Sequence, residues 1–501
     1  MSKFYITTPI YYVNGSPHIG HAYTTIIADV LARYHRLLGD KVFFLTGTDE
    51  HGSKVAKSAE MAGKTPLEFC DEYSAKFQLA WEELNISHNR FIRTTEADHK
   101  NGVAVFLNKL KASGAIYQGE YQGLYCSGCE RFLTEKDLID GKCPDHLKEP
   151  EVVKEKNYFF NLKKFLPEIE RLIDTREIKI VPESYRREVL GFFKQNLDDF
   201  SISRESVKWG IELPFDKTQV TYVWIEALQN YLTGIGYGYN DKQFQEFWPA
   251  DVHLMSKDII KFHTIFWPAL LLAVGEKVPK HIFVHGFFTI DGQKMGKSLG
   301  NVIDPVALAE QFGSDVVRYL LLSQFPLGSD GDIKAANFAL QYNSDLANGL
   351  GNLVSRVVAM NEKYFAGVVP VASKKELVTE VKNVWQEYET AMQEFAVDKA
   401  LAQIRHLNKV CDEFVDQHKP WELAKQGDTE ALKEAIYGLL EGIRNLAVML
   451  YPFMPETSAR ILEQFGFADF TSRSFSELKT WGLLSAGTII VKADGLFPRI
   501  K

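Results

Sequence analysis

Cysteine is scarce in this chain. Five in 501 residues are too few and too unevenly placed for a disulfide framework. Long hydrophobic runs are missing too. The stretch from Phe266 to Val274 contains Pro268 and falls far short of the ~20 apolar residues that span a bilayer. There is no surplus of positive charge, since 57 Lys and Arg against 65 Asp and Glu leave a formal net charge of −8. That weighs against a surface that is basic throughout, although local basic and aromatic surface is enough to hold RNA. No signal-peptide apolar region or Arg/Ser-rich presequence precedes the first predicted strand. Internal repeats and low-complexity linkers are also lacking. The expected home is the cytoplasm, or an organelle matrix after processing, with no role for a membrane.

The length predicts about three domains, and a composition 46% hydrophobic and 24% charged is that of an ordinary globular protein. Lys3–Thr8 is a β-branched and aromatic run that predicts a strand. A turn-rich Asn14-Gly15-Ser16-Pro17 follows. Ile26, Ile27, Val30, Leu31, Tyr34 and Leu38 then recur at helical spacing up to Gly39. Val42–Leu45 suits a strand buried on both faces. Strand, loop, helix, strand is the first half of a nucleotide-binding α/β unit. From Gly119 to Glu155 the texture shifts to short polar segments with Gly and Cys, as expected of an inserted module. The α/β pattern resumes with a strand at Val252–Met255, a helix from Asp258 to Val274 and a strand at His281–Val284. Phe287–Lys294 predicts a hairpin turning at Asp291-Gly292. Asp304-Pro305 reads as an N-cap followed by proline at the first helical position. Helical periodicity then covers 338–365, 376–418 and 429–451, and Gly487–Val491 reads as an extended segment that packs back on the body. The expected division is 1–115 and 223–290 for the two halves of a Rossmann-type parallel-sheet catalytic domain, 116–222 for a connective insertion, 291–337 for a loop and stem-contact region, and 338–501 for an α-helical domain.

Three clusters of residues carry chemistry. His18-Ile19-Gly20-His21 falls where the first helix begins, so His18 and His21 stand where free backbone N–H groups and the helix dipole favour phosphate. Gly20 removes a side chain where an adenine base could lie flat. Lys294-Met295-Gly296-Lys297-Ser298 follows the predicted hairpin and puts two lysines on a loop. Cys126-x-x-Cys129 with Cys143-x-x-His146 offers three thiolates and an imidazole, a full tetrahedral set for one structural Zn²⁺ with no open position. A disulfide between two of these cysteines is the alternative that the spacing leaves open. Cys70 and Cys411 stand alone, as small buried hydrophobes do.

The first two clusters, in this order, resemble the paired HIGH and KMSKS signatures of class I aminoacyl-tRNA synthetases. The second departs at Gly296, where that family more often has Ser, which makes the loop more flexible. Further stretches resemble the methionyl-tRNA synthetases over nearly the whole chain: Thr7–His18, Phe44–Gly52, Tyr222–Ala227 and Ser256–His263. The resemblance implies ATP-dependent ligation of methionine to tRNA(Met) through methionyl-adenylate, with ATP entering as its Mg²⁺ complex. His18, His21, Lys294 and Lys297 would be catalytic, and with Gly20 would bind ATP. Ile10, Tyr12, Asp49, Trp224, Ala227, Tyr231, Asp258, Phe262 and His263 would bind methionine. Asp49 would anchor the substrate amine, and Tyr231 and His263 would offer donors to the thioether sulfur.

Asn352, Arg356 and Trp421 resemble the family's anticodon-reading residues. Asn352 and Arg356 share a helix face, and Trp421 suits stacking on an unpaired base, with packing between helices as the open alternative. A monomer is expected, because the tRNA-binding fold appended to some relatives has no counterpart before Pro498-Arg499-Ile500-Lys501. The rival readings are a sibling synthetase, a smaller nucleotidyltransferase and an inactive RNA-binding paralogue. The inserted module is too small for the editing insertion of the leucine, isoleucine and valine enzymes. The long helical half disfavours the nucleotidyltransferase, and intact His18, His21, Asp49 and Lys297 disfavour the paralogue.

Overall fold

The computed structural model describes residues 2–128, 130–133, 135–144, 148–195, 197–295, 300–373 and 376–500, leaving aside the side chains of Lys136 and Lys294. Its central sheet has six strands. β1 (Lys3–Tyr12) lies between β2 (Lys41–Asp49) and Val252–Ser256. β3 (Arg90–Arg93) flanks β2, and His281–His285 and then Lys179–Val181 extend the other side. Every pairing is parallel. Such sheets are covered on both faces, and Val42–Leu45 and Val252–Met255 are buried throughout. β1 runs on to Tyr12, past the predicted end. Pro9 has no N–H for the ladder, and the register against β2 shifts between Thr7 and Ile10.

The chain lays β2 and β3 on one side of β1 and Val252–Ser256 on the other. A crevice therefore opens at the carboxyl ends of β1 and Val252–Ser256, the switch point where open α/β sheets bind ligands. Helix α1 (Ile19–Leu37) crosses one face of the sheet and shares a continuous core with the helical C-terminal half, through residues such as Val30, Leu31, Leu401 and Leu446. The other face has its own core, built on Phe106, Leu107, Ile265 and Trp267.

Several elements differ from the sequence pattern. Within the segment expected to be a separate insertion, Lys179–Val181 joins the central sheet beside His281–His285, because Ile178 and Ile180 are apolar enough to be buried there. Other parts of the segment form an antiparallel sheet of Arg131–Leu133, Ile116–Cys126, Glu151–Phe160 and Phe200–Ser201. The helix expected over 258–274 is a 3₁₀ turn (Lys257–Ile259), a π-helical turn (Phe262–Phe266) and an α-helix (Trp267–Ala273). Pro268 supplies no N–H to the carbonyl four residues back, so the ladder widens there.

The stretch 376–418 breaks into Val378–Gln393 and Val397–His418, with Phe395 in a left-handed conformation at φ +60°. The turn seats the Phe395 ring against His281 and Phe283, on the strand next to the sheet edge. The hairpin is present as predicted, Phe288–Ile290 pairing with Gln293–Lys294 across Asp291 and Gly292. Asp304 caps Pro305–Phe312 through Val306 N at 2.8 Å. The chain end packs back as Ile490 N donates to Gly367 O at 2.8 Å. No helix among the described residues is long and apolar enough to cross a membrane.

Candidate active site

α1 begins without a Ser, Thr, Asp or Asn. His18 serves as its N-cap in extended conformation, and its Nδ1 accepts from Gly20 N at 3.1 Å. His21 returns the bond, its Nδ1 accepting from His18 N at 3.2 Å, which completes a capping box built from imidazoles. The two rings stack with centroids 3.7 Å apart. With both Nδ1 atoms accepting, each neutral ring carries its proton on Nε2. Both histidines are thereby set as N–H donors at a helix N-terminus. The space at Gly20 is already filled from within the protein. A Cβ there would lie 2.8 Å from His18 Cε1 and 3.1 Å from Met295 Cε, so the glycine is needed for the histidine pair itself.

That contact joins the two signatures. Met295 lies against Gly20 at one end of the lysine loop, and Ile19 N donates to Ile303 O at 3.1 Å at the other. Lys294 ends the hairpin strand opposite Thr289. Gly296, Lys297 and Ser298 lie outside the described residues.

A group of aromatic residues lines the other side of the crevice. The Trp224 and Phe262 rings stack at 4.1 Å, and Ala227 is buried on the same short helix as Trp224. Ile10 and Tyr12 are partly buried against the same core. Tyr231 Oη and His263 Nε2 are 2.8 Å apart, and His263 Nδ1 lies 3.0 Å from Ile259 O. The carbonyl can only accept, so Nδ1 carries the proton and Nε2 accepts from the tyrosine. Burial pushes the His263 pKa down to about 4, which keeps the ring neutral. Both protons expected for the thioether sulfur are therefore engaged, the tyrosine's by His263 Nε2 and the histidine's by Ile259 O. Asp258 stands apart from this group, exposed and hydrogen-bonded to Ser256.

Asp49 ends β2 and is buried, and its Oδ1 has no hydrogen-bond partner among the described residues. Burial, with Glu226 and Glu130 nearby, pushes its pKa well above the usual carboxylate range. Behind it runs a network that sequence reasoning missed. Glu226 accepts from His51 Nδ1 at 2.9 Å and His99 Nε2 at 2.9 Å, with all three side chains buried. Burial opposes ionisation of Glu226, yet the two histidines hold its pKa below the ordinary value. Glu50 is clamped by Arg93 through bonds of 2.7 and 3.0 Å. Glu226 and His51 sit inside stretches singled out from the sequence, but nothing in their spacing shows that they meet.

Cys126 and Cys143 are buried in one small cluster with Leu133, and no disulfide joins the two. Cys129 and His146 lie outside the described residues. No three potential ligands converge among the described residues, as follows when half the expected set falls outside them. Two soft thiols brought together in a module with so small an apolar core fit a structural Zn²⁺. Cys70 and Cys411 are buried, and burial pushes the Cys411 thiol up to about 12. In the helical half, Asn352 is exposed on Gly351–Phe365, and Arg356 and Trp421 are partly so. The Arg356 guanidinium lies 5.3 Å from the Trp421 ring centroid and pairs with Asp416 at 3.2 Å.

Comparison with known proteins bears on the whole chain. A family model described as class I tRNA synthetases (M) matches residues 4–150 and 136–358, and one described as the anticodon binding domain of methionyl tRNA ligase matches 366–501. The methionine–tRNA ligase of Thermotoga maritima is 43% identical, covering 99% of this chain and 80% of its own. That of Clostridium tetani is 45% identical, covering 99% and 78%. Among solved structures, Mycobacterium tuberculosis methionyl-tRNA synthetase in complex with methionyl-adenylate superposes with a TM-score of 0.96 at 38% identity, covering 100% of both chains. The free form of that enzyme gives 0.88 at 36% identity, covering 100% of this chain and 99% of that one.

Proposed function

The chain belongs to the class I methionyl-tRNA synthetases, and on that footing we propose that it activates methionine with ATP and transfers it to tRNA(Met), releasing AMP and diphosphate. One observation carries the amino-acid half: Asp49, paired in the sheet with Tyr12, buries a carboxylate oxygen that has no partner among the described residues. Left alone, that carboxylate avoids the cost of a buried charge by keeping its proton, and a substrate ammonium supplies the partner that lets it ionise. Trp224 and Phe262 offer flat faces to a thioether, with Ile10, Tyr12 and Ala227 completing the walls and Asp258 at the rim. The Tyr231–His263 pair admits sulfur by turning the tyrosine hydroxyl away from Nε2.

The methionine carboxylate then attacks the α-phosphate. No covalent nucleophile is needed, because positioning and charge stabilisation suffice. His18 and His21, protonated at Nε2, donate toward the phosphates at the N-terminus of α1, and Lys297 with Lys294 supplies positive charge from the loop. ATP enters as its Mg²⁺ complex. The 3′-terminal ribose of the tRNA next attacks the methionyl carbonyl. The helical half reads the anticodon through Asn352, Arg356 and Trp421. We assign 1–115 and 223–290 to catalysis, 116–222 to the connective module except for Lys179–Val181, which belongs to the catalytic sheet, 291–337 to loop and stem contacts and 338–501 to the anticodon. Cys126, Cys129, Cys143 and His146 would hold one Zn²⁺, which supplies a structural cross-link to the module. The protein works in the cytoplasm as a monomer.

ATP–pyrophosphate exchange across the amino acids, followed by charging of tRNA(Met), tests the activity. Methionine alone should support both, and exchange with another amino acid in its place would overturn the reading. Elemental analysis should find about one zinc per chain, and a metal-free active protein would remove the zinc assignment.

A further inference from the structure

A carboxylate of the inserted module reaches the amino-acid pocket. Glu130 holds a left-handed backbone at φ +50° and is only 4% exposed. Its Oε1 accepts from Lys54 N at 2.6 Å, Ser53 Oγ at 2.9 Å and Tyr12 Oη at 3.3 Å. Its Oε2 accepts from Tyr125 Oη, and its backbone carbonyl accepts from Tyr222 Oη. Helix α2 (Ser53–Met61) starts at this point, and its N-cap is Gly52, which has no side chain with which to cap. The first N–H groups of a helix need an acceptor from somewhere. Here it comes from a different element, 76 residues along the chain.

Gly52 could not take a capping side chain itself. It lies at φ +99°, and a Cβ would sit 2.4 Å from Tyr12 Oη and 3.0 Å from Glu130 Oε1. Tyr12, Gly52 and Glu130 thus close on one point, three residues after Asp49. Tyr12 Oη also donates to His51 O at 2.8 Å, which ties the ring to the same loop.

We propose that Glu130 is a positioning residue for methionine, capping α2 from the inserted module and so fixing both the Tyr12 ring and the loop that follows Asp49. It touches neither methionine nor ATP. The proposal rests on the methionine-activating function proposed above. It also gives the cysteine module a task, since the residue that caps the helix is the direct neighbour of Cys129.

The test compares wild type, Glu130→Ala and Glu130→Gln in ATP–pyrophosphate exchange, varying methionine and ATP separately, with melting temperatures measured alongside. Glu130→Ala should raise KM for methionine about tenfold, the size of a lost helix cap, and leave KM for ATP near wild type. Glu130→Gln keeps an oxygen for Lys54 N and Ser53 Oγ, so it should recover most of that loss while still raising KM for methionine about twofold to threefold. If the alanine variant does not fold, the glutamine variant alone carries the test. An unchanged KM for methionine would overturn the proposal. So would parallel losses for methionine and ATP that track a lower melting temperature and are not recovered by glutamine. Lack of exchange in the wild type would overturn the functional reading and this proposal with it, whereas normal wild-type exchange with unaffected variants overturns this proposal alone.

Discussion

Asp49 is the residue on which the proposed amino-acid site turns. In the ligand-free protein its burial, with Glu226 and Glu130 nearby, raises its pKa, so the folded state holds a proton that the unfolded chain releases above the ordinary value of about 3.9. Stability must then fall as pH rises from that value toward the raised one. Asp49→Asn removes the slope. Its melting temperature should match wild type near pH 4 and exceed it increasingly toward pH 8, while methionine affinity falls on the order of 10²-fold, the scale of an unpaired buried charge. Thermal denaturation across pH and equilibrium methionine binding check the two halves. A variant less stable than wild type at pH 8 would show that Asp49 is paired within the protein instead. The resemblance of the Phe44–Gly52 stretch singled out Asp49. That it is strained toward protonation was not legible there, because Glu226 and Glu130 come from segments remote in the chain.

At the scale of an element, the N-terminus of α1 combines a helix cap with the proposed phosphate donors, and substitutions at His18 separate the two. His18→Ala loses the cap as well as the donor. It should cost about 1 kcal/mol of stability and slow adenylate formation by about 2–4 kcal/mol, by analogy with losing one oxyanion donor. Asparagine caps helices well, so His18→Asn should keep the stability and lose the rate to the same degree. Melting temperature and single-turnover exchange on the two variants give the answer; recovery of rate by asparagine would mean that capping alone was the role. The motif and its place before a helix were readable in the sequence. The imidazole capping box and the packing of Gly20 against Met295 were not, since both depend on side-chain rotamers and on a loop more than 270 residues away. The π-helical turn bearing Phe262 and His263 was equally hidden, although Pro268 marks where the ladder has to give.

At the scale of the molecule, the catalytic and helical halves are locked together by buried charge. Burial alone would raise the pKa of Asp29 in α1, yet Arg33 and Arg318 hold it well below the usual carboxylate range. Arg318 also donates to Phe453 O at 2.8 Å and Pro452 O at 2.9 Å, joining α1 to the turn that follows Thr429–Leu450. The extent of the helical half was plain from its periodicity, but this lock was not, because its members look like ordinary surface charges on two helices far apart in the chain. A rigid joint of this kind bears on how far an anticodon substitution is felt. Trp421 is partly exposed, with one flank beside Arg356 and the other side packed on the helical core. If it stacks on an anticodon base, Trp421→Ala should cost roughly 1–3 kcal/mol in tRNA recognition. Methionine-dependent exchange, which needs no tRNA, should stay near wild type, and the melting temperature should fall only slightly because the ring is not fully buried. If the ring only packs between helices, the same change should lower the melting temperature and depress exchange and charging together, since the two halves share one core. Exchange, charging and thermal stability measured on this one variant separate the outcomes, and loss of charging with the other two preserved is the expected result.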